Sequence, residues 1–380
     1  MFSFFSPQAI HFGRGQSQQT AAFAKAFGES VLLVHGSTAM RAEFLIKLCH
    51  EAGLTLRTAS CQREPSLPDI ELSLAQLAGF RPDVVIALGG GSVIDFGKAL
   101  AALIPCAGQP LDYLEIVGAG RPLDHPPIPM IALPTTAGTG AEVTKNAVIL
   151  VPEHAIKVSL RDRRMVPDIA IVDPSLMQGA PRRVALAAGL DAVTQVIEPY
   201  LSVKANPMTD AICYAAIPIG LKVLRDLVEK DAHDAWDSMA WVSTCGGLAL
   251  ANSGLGAVHG FAGVIGGKTN APHGEICGAL LPAVLQSHQR KAQEGTDVYN
   301  RLQWVMHQID AYFAHMEIGS GVSALSRWSK EIGLRGLSEL GVSSADYLQV
   351  ATAASNSSSM KGNPFDLSNE ELLQILHCAK

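Results

Sequence analysis

Short, uninterrupted apolar runs alternate with amphipathic stretches through the first half of the chain. Residues 31–34 (VLLV), 54–59, 83–88 (DVVIAL) and 130–133 read as strands, and 37–52 and 70–78 as helices between the early ones. Apolar runs without polar alternation belong to strands covered on both faces, so the pattern predicts a parallel sheet flanked by helices. Residues 146–150, 157–160 and 169–172 add further strands or a hairpin. After Asp173-Pro174 the texture changes, and alanine-rich helical periodicity takes over from Arg182. One helix is expected from 206 to 227, because Asn206 is a good N-cap and Pro207 suits the first helical position. Others are expected over 232–251 and 370–379. The chain therefore divides into an α/β domain, 1–178, and an all-helical domain, 179–380, joined through PSLMQGAPR at 174–182.

Composition narrows the class. The 380 residues are 48% hydrophobic and 17% charged, with a net charge of −6. That balance suits a folded enzyme burying further surface in an oligomer, and it argues against disorder. No Lys/Arg-rich run marks a nucleic-acid or anionic-membrane surface. Seven scattered cysteines without a C-x-x-C pair point away from a disulfide scaffold and toward a reducing, cytoplasmic compartment. The opening MFSFFSPQAIHFGRG lacks a basic segment ahead of its apolar residues, so no signal peptide is expected. No uninterrupted apolar run is long enough to cross a bilayer.

Candidate chemistry sits in three places. The Gly-rich, apolar stretch 254–282, GLGAVHGFAGVIGGKTNAPHGEICGALLP, carries His259 and His273. A lone histidine in such a setting is more often a hydrogen-bonded core residue. Two of them, with Asp191 upstream in GLDAVTQVIEPYLS, make a carboxylate–imidazole set suited to Fe(II) or Zn(II). The second place is Gly89-Gly90-Gly91-Ser92, directly after a strand. Ser92 to Asp95 has the S-x-x-D form of a capping box, so a helix should begin at the glycines and present free N–H groups to an anion. A bare tight turn is the plainer reading; a pyrophosphate is the functional one. The spacing is not G-x-G-x-x-G, which excludes a standard Rossmann fingerprint. The third place is Thr135-Thr136-Ala137-Gly138-Thr139-Gly140, again after a strand, either capping a helix or completing a dinucleotide site on the same sheet edge. The first strand runs into His35-Gly36-Ser37-Thr38 with no carboxylate to repel a 2′-phosphate, so NADP is expected to be accepted.

Together, GGGSVIDFGKA (89–99), PTTAGTGAEVT (134–144), PDIAIVDPSL (167–176), GLDAVTQVIEPYLS (189–202), APHGEICGALLP (271–282) and KGNPFDLS (361–368) resemble the iron-containing (group III) alcohol dehydrogenase family over nearly the whole chain. The resemblance implies a Rossmann-like dinucleotide-binding domain followed by an all-α metal-binding domain, the architecture shared with dehydroquinate synthase. It also implies substrate bound between the domains, and dimers or larger homo-oligomers. The family's cofactor contacts fall on Gly36, Ser37, Gly89, Gly90, Gly91, Ser92, Asp95, Thr135, Thr136, Thr139 and Lys157. Its four metal ligands fall on Asp191, Gln195, His259 and His273, with Gln195 where the family has histidine. A further family histidine, four residues after the third ligand, is Gly263 here. A glutamine oxygen is a poorer donor than imidazole, so Asp191, His259 and His273 are expected to carry the metal and the catalysis. The activity implied is NAD(P)-dependent interconversion of small-molecule alcohols and aldehydes, with a divalent metal polarising the substrate oxygen. The rival readings are a metal-independent reductase like maleylacetate reductase, a lyase like dehydroquinate synthase, and a silent nucleotide-binding protein.

Overall fold

A sheet strand whose residues all point into protein must be apolar on both faces, and the central strands of this chain meet that demand. The computed structural model describes residues 1–269, 271–314 and 320–380. Packing divides it into two compact units, Phe5–Thr136 with Gly140–Gln178, and Gly179–Lys380 with Met1–Phe4 and Ala137–Thr139.

The first unit carries β1 (Ala9–Phe12), α1 (Thr20–Lys25), β2 (Ser30–Gly36), α2 (Glu43–Glu51), β3 (Thr55–Cys61), α3 (Leu67–Gln76), β4 (Val84–Gly89) and α4 (Gly91–Leu103). It continues with β5 (Met130–Pro134), β6 (Asn146–Val151), β7 (Ile156–Arg161) and β8 (Ile169–Val172). Six strands form one parallel sheet in the order β1-β8-β5-β4-β2-β3. On β2 and β4, Leu32, Val34, Val85 and Ala87 join the core with Val93, Ile94 and Phe96 of α4. The intervening Val31, Leu33, Val84 and Ile86 join the opposite core with Ala21 of α1 and Leu45 of α2. Alternate side chains thus serve two apolar layers, which is why these strands read as continuous runs.

The structure departs from expectation at particular points. The edge strand β1 was not expected: only four residues long, with a burial pattern that alternates, it leaves little apolar signal and is fixed by pairing with β8. Helix α1 also escapes the pattern. The region 37–52 opens with a 3-10 turn at Ala39–Ala42 before α2. Strands β6 and β7 form a separate antiparallel hairpin, while β8 joins the main sheet. The expected Ser92–Asp95 capping box does not form. Helix α4 begins at Gly91, with Gly90 as an N-cap that makes no side-chain cap bond. Asp95 instead accepts a hydrogen bond from the Val148 N–H of β6 at 2.9 Å and lies 3.8 Å from Lys98 Nζ.

The second unit is helical: α5 (Arg182–Leu201), α6 (Pro207–Lys230), α7 (His233–Ser253), α8 (Ala257–Thr269), α9 (His273–Lys291), α10 (Asp297–Phe313), α11 (Gly321–Glu331), α12 (Tyr347–Ser355) and α13 (Asn369–Cys378). Asn206 caps α6 as expected, accepting from the N–H groups of Met208 and Thr209. The described residues of the Gly-rich stretch 254–282, which leave out position 270, hold two helices, α8 and the start of α9. Its glycines serve close packing: a Cβ on Gly278 would stand 2.6 Å from Leu190 Cδ1, and one on Gly274 would stand 2.3 Å from the Ala187 carbonyl oxygen. Both contacts draw α9 against α5. Among the described residues no single helix is long and apolar enough to cross a membrane.

Candidate active site

Three helices bring four donors to one point. Asp191 lies on α5, His259 on α8, and His273 and Cys277 one turn apart on α9. One ligand atom from each lies within 4.8 Å of the others. His259 Nε2 is 3.4 Å and His273 Nε2 is 3.8 Å from Asp191 Oδ1. Cys277 Sγ is 3.6 Å from His273 Nε2 and 3.9 Å from His259 Nε2. Asp191, His259 and Cys277 are buried, whereas the His273 side chain is 34% exposed, so the cluster opens to solvent on the His273 side.

Asp191 Oδ1 is a buried oxygen with no hydrogen-bond partner. An unmatched carboxylate oxygen is costly inside a protein, and a cation among these four donors would satisfy it. The electrostatics agree. Burial pushes the Asp191 carboxyl up, but His273 and His259 outweigh it and hold it below the usual carboxylate value. Burial pushes the His259 imidazole down, but Cys277, Asp191 and Glu198 together hold it well above its usual value. These surroundings favour positive charge.

Glu198 was not singled out from the sequence. Seven residues after Asp191 on α5, it is on the same helix face. Its Oε2 lies 2.6 Å from His259 Nδ1, and its Oε1 accepts the Val258 N–H at 2.7 Å. One carboxylate thereby satisfies an orphan N–H at the start of α8 and leaves His259 Nε2 facing the cluster. Asn363, in the KGNPFDLS segment, accepts the neighbouring Ala257 N–H at 3.0 Å. Gln195 also lies on α5 and is buried, but its amide nitrogen is committed to the Thr139 carbonyl at 2.7 Å. Beside Gly263, one turn after His259, an added Cβ would meet nothing within 4 Å.

In the other unit, strand order places the first crossover reversal between β2 and β4, which continue into Gly36-Ser37 and Gly89-Gly90. Ligands of open α/β sheets bind at the carboxyl ends of strands flanking such a switch point. The first turn of α4 has no side-chain cap, so its N–H groups at Gly90, Gly91 and Ser92 are disposed for an anion. Thr136 packs over this turn, 3.4 Å from where a Gly90 Cβ would stand, and the Thr135 N–H bonds the Gly89 carbonyl. The Lys157 side chain, on β7, is largely covered and ion-paired with Glu64.

One unit is a parallel α/β sheet with an uncapped glycine turn at its switch point, and the other is helical and holds a carboxylate–imidazole–thiol cluster able to take a metal; both are features of metal-supported, nucleotide-dependent oxidoreductases. Residues 7–174 match the iron-containing alcohol dehydrogenase family model, and 185–380 match its C-terminal counterpart, the Fe-containing alcohol dehydrogenase family, C-terminal. The chain belongs to the iron-containing alcohol dehydrogenase family. It is 30% identical over 389 residues to 1,3-propanediol dehydrogenase of Klebsiella pneumoniae, covering 99% of this chain and 96% of that protein. It is 32% identical over 317 residues to lactaldehyde reductase of Escherichia coli (strain K12), covering 83% of this chain and 81% of that protein. A crystal structure of 1,3-propanediol oxidoreductase superposes with a TM-score of 0.86 at 27% identity, covering 100% of both chains. The protein is an oxidoreductase acting on CH–OH groups, an alcohol dehydrogenase/aldehyde reductase using NAD(P), in a family whose members carry a metal.

Proposed function

We propose that this chain interconverts a small-molecule alcohol and its carbonyl form at a divalent metal held by Asp191, His259 and His273. A bound nicotinamide would take or return the hydride of the carbinol carbon. Residues 1–178 would be the dinucleotide-binding domain and 179–380 the metal and substrate domain. Gly89, Gly90, Gly91 and Ser92 would take the pyrophosphate. Gly36, Ser37, Asp95, Thr135, Thr136, Thr139 and Lys157 would line the rest of the cofactor site. One observation carries the metal reading: donors from three helices converge around a buried Asp191 oxygen that has no other partner.

A divalent metal held there by Asp191, His259 and His273 would supply Lewis acidity toward the alcohol oxygen. The remaining work belongs to the protein. Glu198 fixes the ring of His259, the buried helix faces exclude water, and the exposed edge at His273 admits substrate. Open space beside Gly263 suits a substrate bulkier than a histidine at that position would admit. NADP is accepted alongside NAD, because no carboxylate follows β2 to oppose a 2′-phosphate. The working form is a cytoplasmic homodimer or larger homo-oligomer.

Elemental analysis of the purified protein, with alcohol and aldehyde panels run on both coenzymes, tests this reading. Activity should fall on chelation and return with Fe(II) or Zn(II). His259→Ala and His273→Ala should each cut turnover by orders of magnitude while NAD(P)H binding, followed by fluorescence, stays intact. Activity that survives full metal removal would favour the metal-independent, maleylacetate-reductase-like alternative instead.

A further inference from the structure

With Gln195 in place of an imidazole, the metal has lost a donor that its position in the chain would otherwise supply. The Gln195 amide nitrogen bonds the Thr139 carbonyl at 2.7 Å, which fixes the side chain by an interaction unrelated to a metal. The structure supplies a different fourth donor. Cys277 follows His273 by four residues on α9, so both side chains leave the helix on one face.

We propose that Cys277 is the fourth protein ligand of this centre, and that the resulting carboxylate–bis-imidazole–thiolate set selects Zn(II) over Fe(II). The inference rests on the metal reading given above and deepens it. Distances carry it first. Four donors at ordinary zinc bond lengths, arranged tetrahedrally, stand about 3.3 Å apart for nitrogen–oxygen pairs and about 3.6 Å apart for nitrogen–sulfur pairs. The observed separations are 3.4 and 3.8 Å from the imidazoles to Asp191 Oδ1, and 3.6 and 3.9 Å from the imidazoles to Cys277 Sγ. These four separations lie within a few tenths of an ångström of those in an occupied zinc site, and one ligand atom from each of the four residues lies within 4.8 Å of the others. Asp191 Oδ1 is buried and meets none of these donors within a full hydrogen bond, so a cation at the centre would satisfy it.

Chemistry then sets the preference. A thiolate is a soft, strongly donating ligand, and zinc takes sulfur and imidazole nitrogen together readily. Zinc also stands above iron(II) in general affinity for nitrogen and sulfur donors. Binding forms one metal–sulfur bond and releases the thiol proton to solvent, with no change in oxidation state.

The test uses the full chain, stripped with a chelator and reloaded. X-ray absorption of the zinc form should show one sulfur neighbour at about 2.3 Å beside nitrogen and oxygen neighbours at about 2.0–2.1 Å. The cobalt(II) form should show a thiolate-to-metal charge-transfer band in the near ultraviolet. Cys277→Ser should abolish both signatures. It should also weaken zinc binding by more than about 100-fold, beyond the usual cost of removing an outer partner. Adding Gln195→His to that variant should restore affinity without restoring the sulfur band. Offered equal Fe(II) and Zn(II) without oxygen, the unaltered chain should take up zinc. One metal per chain with only nitrogen and oxygen neighbours would overturn the role of Cys277 while leaving the metal reading intact. Failure to bind any metal would overturn both, and preferential uptake of iron would overturn the selectivity.

Discussion

Glu198 shows how much one side chain can hold in place. Its two oxygens engage the Val258 N–H and the His259 ring, so helix start and ligand orientation share one carboxylate. Glu198→Gln keeps the size but removes the charge that favours the correct imidazole tautomer. Metal affinity, measured by chelator competition, should drop by about 10–100-fold. Dinucleotide affinity should be unchanged. Equal metal affinity in the variant would make Glu198 a helix cap and nothing more. The residue scale is also where the sequence was least legible. Asp191, His259 and His273 stand out as unusual residues in apolar runs. Glu198 and Cys277 declare themselves only by spacing, seven after Asp191 and four after His273, which has meaning once both segments are known to be helices.

At the scale of elements, the centre depends on how closely α9 approaches α5. Gly274 directly follows His273, and a Cβ there would stand 2.3 Å from the carbonyl oxygen of Ala187, a backbone atom that cannot swing aside. Gly274→Ala should therefore push the start of α9 away and carry His273 and Cys277 with it. Overpacking of this kind costs about 1–3 kcal/mol. Thermal melting should show a lower midpoint, and elemental analysis a lower metal content. Unchanged values in both would mean that α9 has slack at this point. Glu275, also in the first turn of α9, pairs at 2.6 Å with Arg183 and at 2.8 Å with Arg335, holding the same helix end in register. Sequence pattern found α6 from its length and its Asn206 cap, and α7 and α13 from helical periodicity. It left α8 and α9 as a glycine-rich stretch because glycine ordinarily signals turns, whereas here it permits contact between helices.

For the whole molecule, two carboxyls, one fully buried and one half-buried, set opposite pH limbs of stability. Asp173 is fully buried at the end of β8; burial pushes its carboxyl up, but Ser175 and Ser17 each donate a hydroxyl and a backbone N–H, and together they hold it below the usual value. A depressed folded-state pKa gives stability that is present above the ordinary carboxylate value and is lost as pH falls through the folded one. Asp95 behaves in the reverse sense. Burial raises its carboxyl to about 6, against the pull of Lys98. Its folded form holds a proton that the unfolded form has released, so this contribution declines as pH rises from the ordinary carboxylate range through about 6. Melting midpoints followed across pH should show Asp173→Asn flattening the acid limb and Asp95→Asn flattening the decline toward pH 6. A Asp173→Asn profile parallel to that of the unaltered chain would remove Asp173 from the acid limb.

The amino-acid pattern by itself determined the layered α/β half, the helical half, and the two chemical signatures of a glycine turn and paired histidines. Those features are local: they follow from burial on both faces of a strand, from helical periodicity, and from backbone freed of side chains. Which atoms meet is not local. That Glu198 grips His259 and that Cys277 comes within reach of Asp191 depend on the crossing of α5, α8 and α9, and that Gln195 turns to Thr139 depends on the packing of α5 against the loop after β5. Residues up to 86 positions apart, Asp191 and Cys277, share one point only because packed helices put them there.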